Sequence, residues 1–193
     1  MKIILASKSP RRKEILENLG FTFEIITADT DESSDVTEPE SLVQILAVRK
    51  GNAVRKTHNE RDTLIISCDT VVACDGKILG KPHSEEEAKA MLRLLSGRSH
   101  SVLSGISLFY NGKTISGVDK TEVYFADMPE NFIDFYVASG DSMDKAGGYA
   151  VQGRTSLYID KIDGCYFNVV GLPVRLLAKM LNKLGIDLTE ITK

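Results

Sequence analysis

The sequence predicts a mixed α/β fold built around a long twisted sheet that is flanked by helices. Strand-like and helix-like segments alternate along the chain, and no internal repeat or low-complexity linker separates them. Of the 193 residues, 42% are hydrophobic and 26% are charged, which is a globular composition. This length favours one domain, or two closely packed halves, over independent modules. The order of the strands does not follow from the sequence.

Local signals define the elements of the first third of the chain. Ser9 suits an N-cap, Pro10 suits the first helical position and Gly20 is typical of a helix end. These signals predict a strand at Lys2–Ala6, a helix from Ser9 to Gly20, a strand at Phe21–Thr27, an acidic loop at Ala28–Pro39 and a helix over about Ser41–Lys56.

The remaining elements are predicted in the same way. The apolar run Leu64–Ser67 indicates a buried strand, and Asp75-Gly76 and Asn111-Gly112 are typical hairpin turns. Ser84 and Glu87 have the spacing of a capping box. The predicted order is strand 64–73, strand 77–79, helix 84–95, strands 100–110 and 113–125, helix 129–140, loop 144–153, strand 157–162 and helix 173–184.

Composition excludes several classes of protein. The apolar runs are about five residues long, whereas a membrane span needs roughly 18. The net charge of −3 disfavours stable nucleic-acid binding, which usually requires a basic excess. Three cysteines without CxxC spacing and three scattered histidines argue against a zinc site or a disulfide framework. We therefore expect a soluble cytoplasmic protein that binds neither membranes nor nucleic acid.

The segment Ser7-Lys8-Ser9-Pro10-Arg11-Arg12 is the first candidate site. It lies where a strand gives way to a helix, and a helix N-terminus favours anions through its unpaired N–H groups and its dipole. Two arginines and a lysine at that end are electrostatically unfavourable unless an anion offsets them. The alternative is a solvated basic helix start that pairs with the acidic loop. Neither a Walker A loop nor a GxGxxG motif is present.

Asp69 is the second candidate, because it directly follows a buried strand. Ligands of open α/β sheets gather at the carboxyl ends of strands, where a carboxylate orders water as a general base or binds a divalent cation. The alternative is a turn or cap aspartate. Glu32, in the acidic loop, is a candidate carboxylate for Mg²⁺, although such loops are more often simply solvated.

Two lysines and one glycine-rich loop complete the candidates. Lys50 and Lys81 suit phosphate contacts, although surface lysines are common. The loop Asp144–Gly153 permits a close approach of a planar ligand, and Tyr149 and Gln152 are able to stack on or hydrogen-bond to a base.

Six sequence blocks together resemble the Maf family of nucleoside triphosphate pyrophosphatases. They cover nearly the whole chain and are ASKSPRRKEIL at 6–16, LAVRKGNAV at 46–54, SCDTVVACDGKILGKP at 67–82, MLRLLSGRSHSV at 91–102, YVASGDSMDKAGGYAVQG at 136–153 and IDGCYFNVVGLP at 162–173. The resemblance implies one Maf-like domain over residues 1–193, with an ITPase-like fold and two closely packed lobes around a central cleft. It also implies a homodimer.

The resemblance further implies hydrolysis of a nucleoside triphosphate to the monophosphate and pyrophosphate with Mg²⁺ or Mn²⁺. The roles that it implies are catalysis by Asp69; base selection by Arg11, Thr70 and Gln152; phosphate binding by Ser7, Ser9, Arg12, Lys50 and Lys81; and metal binding by Glu32 and Asp69.

The same resemblance points to the branch that prefers dTTP and UTP, with modified pyrimidine nucleotides as further candidates. That branch is similar to this chain in having Asp69-Thr70 and the 144–153 loop ending in Gln152-Gly153. A glutamine side chain both donates to and accepts from the imide edge of a pyrimidine, whereas a glutamate cannot donate. The alternative function is a nucleotide-binding regulator of cell division and septum formation, which needs the pocket but not Asp69 or a metal.

Overall fold

The computed structural model describes residues 1–192, which contain seven strands of one mixed sheet and seven α-helices. The strand order is β2-β1-β3-β5-β6-β7, and β4 pairs with β3. In chain order the elements are β1 (Lys2–Leu5), α1 (Pro10–Asn18), β2 (Glu24–Ile25), α2 (Pro39–Arg55), β3 (Thr63–Cys74), β4 (Lys77–Leu79), α3 (Glu85–Leu95), β5 (Ser99–Tyr110), β6 (Lys113–Phe125), α4 (Glu130–Ala138), β7 (Ile159–Asp163), α5 (Tyr166–Val170), α6 (Val174–Lys183) and α7 (Leu188–Ile191).

The pairing pattern confirms the predicted mixed sheet. Strand β1 is parallel to β2 and β3, whereas the β3–β4 and β6–β7 pairs are antiparallel. Both predicted hairpin turns form, because Asp75-Gly76 and Asn111-Gly112 adopt the positive φ angles that a tight two-residue turn requires. Across residues 1–192, no helix combines the length and the apolar character needed to cross a membrane.

Two predicted strands are shorter in the structure. Within Phe21–Thr27 only Glu24 and Ile25 form a strand; buried Phe21 makes one bridge with Thr192, and Ile25 is 46% exposed. The strand predicted from Leu157 begins at Ile159, because Arg154–Tyr158 is a 3-10 turn. The short helices α5 and α7 were not predicted. For both strands, pairing with the neighbouring strand, rather than alternation of residue types, decides the boundary.

The chain divides into two compact units, each of which is described by itself. Unit 1 consists of residues 1–69, 104–119 and the segment from Gly171 onward; unit 2 consists of residues 70–103 and 120–170. One buried cluster of unit 1 comprises Ile4, Ala6, Val54, Ile65 and Phe109. A buried cluster of unit 2 includes Leu92, Leu95, Val123, Ile133 and Tyr136.

Two glycines let helix α2 lie close to the strands of unit 1. A Cβ atom at Gly51 would stand 2.1 Å from the Phe109 ring and 2.5 Å from the Ser67 hydroxyl, and one at Gly105 would stand 2.2 Å from the Val43 carbonyl oxygen. Ser67 completes the contact, because its Oγ donates to the Ala47 carbonyl at 2.8 Å. Helix α2 thus packs so closely against β3 and β5 that no residue larger than glycine fits at positions 51 and 105.

A buried aromatic cluster orders unit 2. His100 on β5, Phe125 on β6 and Tyr149 are each at most 5% exposed, with ring centroids 4.8–5.3 Å apart. The His100 Nε2 and the Tyr149 hydroxyl are hydrogen-bonded at 2.7 Å. Burial lowers the pKa of His100 to about 4, although nearby Glu122 opposes the shift. His100 is therefore neutral at pH 7 and anchors the loop that carries Tyr149.

Helix α3 begins as predicted, with one difference at its cap. The Ser84 hydroxyl accepts from the Glu87 N–H at 3.1 Å, whereas the Glu87 carboxylate accepts from the His83 N–H at 2.7 Å rather than from Ser84. Ala88, Met91, Leu92 and Leu95 are buried, as the sequence predicted.

Replacing Gly105 with alanine should destabilise the fold by about 1–3 kcal/mol, because the new methyl group would meet backbone atoms that cannot rotate away. Urea unfolding measures the change. Gly80→Ala is the matched control, since a Cβ atom there meets nothing within 4 Å, and it should stay within about 1 kcal/mol of the parent. Equal stability of both variants would contradict the close approach of α2.

Acidification should destabilise the protein through His100. Because its pKa falls from 6.5 in the unfolded chain to about 4 in the folded protein, its contribution is complete above pH 6.5 and is lost as the pH falls towards 4. The slope is at most about 1.4 kcal/mol per pH unit for this one group. Unfolding free energies measured between pH 4 and 7 should show a shallower slope for His100→Gln, but not for the exposed-site control His83→Gln. An unchanged slope in His100→Gln would refute this assignment.

Candidate active site

The predicted anion-binding turn forms where β1 leads into α1. The Ser9 side chain accepts from the Arg12 N–H at 3.5 Å, the Ser7 hydroxyl accepts from the Ser9 N–H at 3.3 Å, and Pro10 occupies the first turn. The first turn of α1 contains no acidic residue. Arg11 and Arg12 therefore add their charge to the positive end of the helix dipole.

Arg12 links this turn to two other segments of unit 1. Its Nη1 donates to the Ser7 hydroxyl at 3.0 Å and to the Cys68 carbonyl at 2.7 Å, and its Nε donates to the Gly171 carbonyl at 2.8 Å. Cys68 also contacts Gly171, with its sulfur 3.3 Å from the same carbonyl oxygen. The guanidinium thus holds the backbone that immediately precedes Asp69 next to the Ser7 turn. The predicted contact between Arg12 and a phosphate group stays a prediction.

The sequence predicted a strand over residues 64–73 with Asp69 at the end of its buried apolar run, and the structure confirms that the strand continues past Asp69. Strand β3 continues to Cys74, so Asp69 lies inside it. The parallel pairing of β3 with β1 nevertheless ends at Ile66, and the pairing with β4 starts at Val72. Asp69 therefore lies beyond the end of the parallel ladder, which preserves the chemical argument for a ligand site.

Lys50 joins the two candidate carboxylates of unit 1. Its Nζ lies 2.6 Å from Asp69 Oδ1 and 2.9 Å from Glu32 Oε1. The Asp69 side chain is only 10% exposed and the Lys50 side chain 20%, whereas that of Glu32 is 62% exposed. A nearly buried carboxylate requires such a partner, since an unpaired buried charge is strongly unfavourable.

Packing explains why these groups meet. Lys50 directly precedes Gly51, the glycine that lets α2 contact Ser67 and Phe109. Ser67 in turn lies two residues before Asp69, on the same strand. The close approach of α2 to β3 therefore sets the distance between Lys50 and Asp69.

The carboxylate pair suits a cation that binds together with a substrate. Within residues 1–192, no group of three His, Cys, Asp or Glu side chains forms a closed metal site. Mg²⁺ typically uses one or two carboxylates, water and substrate phosphates rather than an all-protein cage. Glu32 and Asp69, which share the Lys50 ammonium, fit that donor set.

The remaining predicted residues belong to unit 2. Thr70 follows Asp69 on β3 and is half-buried, whereas Lys81 and Gln152 are exposed. The Gly147 N–H donates to the Gly80 carbonyl at 2.9 Å, which ties the 144–153 loop to the segment that carries Lys81. Unit 2 thus brings these two segments together, and its Tyr149–His100 hydrogen bond holds the loop from its buried side.

Several contributors escaped the sequence analysis. Gly171 accepts bonds through its carbonyl group, and Arg49 donates to backbone carbonyls of the acidic loop. A backbone oxygen can accept a hydrogen bond whatever the side chain of its residue, so the sequence does not indicate such contacts. The block GLP at 171–173 was the only available signal for Gly171.

Comparisons with known proteins found relatives that match nearly the whole chain. A family model described as Maf-like protein matches residues 2–184. A "dTTP/UTP pyrophosphatase" of Bacillus cereus (strain AH820) is 44% identical over 190 residues, covering 98% of each chain. A protein of the same name from Bacillus thuringiensis subsp. konkukian (strain 97-27) has the same identity and coverage.

A solved structure supports the fold alone. The Staphylococcus aureus Ham1 protein aligns with a TM-score of 0.53 and 15% identity, covering 95% of this chain and 99% of its own. The family model and the curated relatives match nearly end to end, and the residues that carried the resemblance include the Ser7 turn and Asp69 of unit 1. The chain belongs to the Maf family.

Proposed function

We propose that the protein is a nucleoside triphosphate pyrophosphatase that hydrolyses dTTP and UTP to the monophosphate and pyrophosphate. Membership of the Maf family and the names of relatives 44% identical to this chain support the reaction and the substrates. The observation that carries the proposal is the placement of Asp69, nearly buried, 2.6 Å from Lys50 and directly after the carbonyl that Arg12 holds beside the Ser7 turn.

The phosphates bind where unit 1 concentrates positive charge. The N–H groups at the start of α1, Arg12 and Lys50 attract a polyanion, and Lys81 adds a further cation from unit 2. Lys50 exchanges part of its contact with Glu32 and Asp69 for a phosphate oxygen. Its ammonium thereby holds the substrate next to the Asp69 carboxylate.

Asp69 acts as the general base. Its carboxylate orients a water molecule and accepts a proton as the water oxygen bonds to the α-phosphorus. The bond from the α-phosphorus to the bridging oxygen breaks, and pyrophosphate leaves with the electron pair. Positioning and charge stabilisation provide most of the acceleration in such phosphoryl chemistry.

Glu32 and Asp69 would hold a divalent cation, Mg²⁺ or Mn²⁺, which when bound neutralises phosphate charge and polarises the attacking water. Arg11, Thr70 and Gln152 would select the base, with the Gln152 amide pairing with the imide edge of a pyrimidine. Under this proposal the two units work as one Maf-like domain, in a cytoplasmic homodimer.

Asp69→Asn should lower turnover of dTTP by about 10²- to 10⁴-fold, because the amide cannot accept the proton. Nucleotide binding should persist, since the side chain keeps its shape. Pyrophosphate release measures turnover and calorimetry measures binding, with Asp160→Asn as an exposed control on β7. Full activity of Asp69→Asn would refute the assignment.

A panel of nucleoside triphosphates, in which release of the monophosphate is measured for each, tests the scissile bond and the pyrimidine preference of the parent protein. Binding of nucleotide without hydrolysis would favour a regulatory protein.

Gln152→Glu should lower kcat/KM for dTTP and UTP by about 10- to 10³-fold, because the carboxylate cannot donate to the base. Steady-state assays on both substrates measure the change. Gln44→Glu, on α2 of unit 1, makes the same chemical replacement at a site without a proposed role and should leave kcat/KM unaltered. Equal kcat/KM values for Gln152→Glu and the parent enzyme would exclude Gln152 from base recognition.

A further inference from the structure

We propose that Arg49 is a positioning residue that holds the acidic loop so that the Glu32 carboxylate meets Lys50 and Asp69. The inference rests on the proposed function, in which Glu32 takes part in cation binding. Arg49 would contact neither substrate nor cation, and it would act through the backbone on both sides of Glu32.

The geometry of Arg49 is the first support. Its Nη1 donates to the Asp31 carbonyl at 2.5 Å and to the Ser33 carbonyl at 2.9 Å. These are the residues immediately before and after Glu32. One guanidinium nitrogen therefore restrains the peptide groups that determine where the Glu32 side chain points.

The Asp31 side chain reinforces the same turn. Its Oδ1 accepts from the Ser33 N–H and its Oδ2 accepts from the Ser33 hydroxyl, both at 2.8 Å. Arg49 thus binds a turn that is already closed around Glu32 rather than an extended loop. The whole turn is consequently fixed relative to α2.

The acidic loop has little else to hold it. Residues 26–38 contain no helix or strand. A cavity of about 810 Å³ is lined by Asp29, Thr30 and Asp31 of the loop and, among others, by Ile45 and Arg49 of α2, and residues 31–35 are exposed. Polar contacts, rather than apolar packing, therefore set the position of the turn in this part of unit 1.

The Glu32–Lys50 ion pair is too weak to do this alone. The Glu32 side chain is 62% exposed, and exposed ion pairs hold long side chains only weakly. Arg49 and Lys50 are consecutive on α2, so one helix turn holds the loop backbone at residue 49 and its carboxylate at residue 50. Losing Arg49 should leave Glu32 free to move away from Asp69.

A double-mutant cycle tests whether Arg49 acts through Glu32. Arg49→Gln should lower kcat for dTTP by about 5- to 100-fold, as a displaced catalytic group does. The double variant Arg49→Gln/Glu32→Gln should be no slower than Glu32→Gln alone, because the positioned group is already absent. If the kcat losses of the two single variants multiply in the double variant, the proposal is overturned, because Arg49 would then have a role independent of Glu32.

Hydrogen exchange on the metal-free protein gives a readout that does not require activity. Arg49→Gln should speed amide exchange at Ser33 severalfold and leave the amides of β3 unchanged. Lys56→Gln is the matched control, because Lys56 is the C-cap of α2, seven residues after Arg49, and lines the same cavity. Unchanged exchange at Ser33 in Arg49→Gln, or the same acceleration in Lys56→Gln, would overturn the proposal.

The two experiments separate this inference from the proposed function. If the parent enzyme releases no pyrophosphate from any nucleoside triphosphate, the proposed function fails, while exchange still reports whether Arg49 holds the turn. If the parent enzyme is active and Arg49→Gln has normal kcat and normal exchange, only the role of Arg49 fails.

Discussion

The contact between Lys50 and Asp69 is the interaction on which the rest of unit 1 depends. An aspartate side chain that is only 10% exposed must be paired, and the paired ammonium comes from a different element. Helix α2 can provide it only by lying close to β3, which requires glycine at 51 and 105 and a small hydroxyl side chain at Ser67. The close packing of α2 against β3 is therefore also what brings the charged groups of the candidate site together.

Features that arise from neighbouring residues were predictable from the sequence. The Ser9 and Ser84 caps and the two hairpin turns form as expected, because each depends on a few adjacent residues. The length of β2 was not predictable, since an edge strand extends only as far as its partner β1 pairs with it. The continuation of β3 past Asp69 was predicted, whereas the change of its partner from β1 to β4 along its length was not.

The same distinction, between what adjacent residues determine and what distant partners determine, applies to the candidate site. Residue types such as the Asp69 carboxylate and the basic start of α1 identified the chemistry from sequence alone. The contacts that arrange them run largely through backbone carbonyls, at Cys68 and Gly171 for Arg12 and at Asp31 and Ser33 for Arg49. Every residue has a carbonyl oxygen, so only the fold reveals which of them serve as acceptors.

The charge at the start of α1 argues for an anionic ligand independently of the backbone contacts. Carbonyl oxygens and a hydroxyl accept from the Arg12 guanidinium, and these acceptors carry no net charge. Arg11 adds a second charge in the same turn, which has no acidic residue. Two cations at the positive end of a helix are unfavourable. A bound triphosphate would interact favourably with the helix dipole and with both guanidinium groups, so the same turn would attract a polyanion through two independent effects.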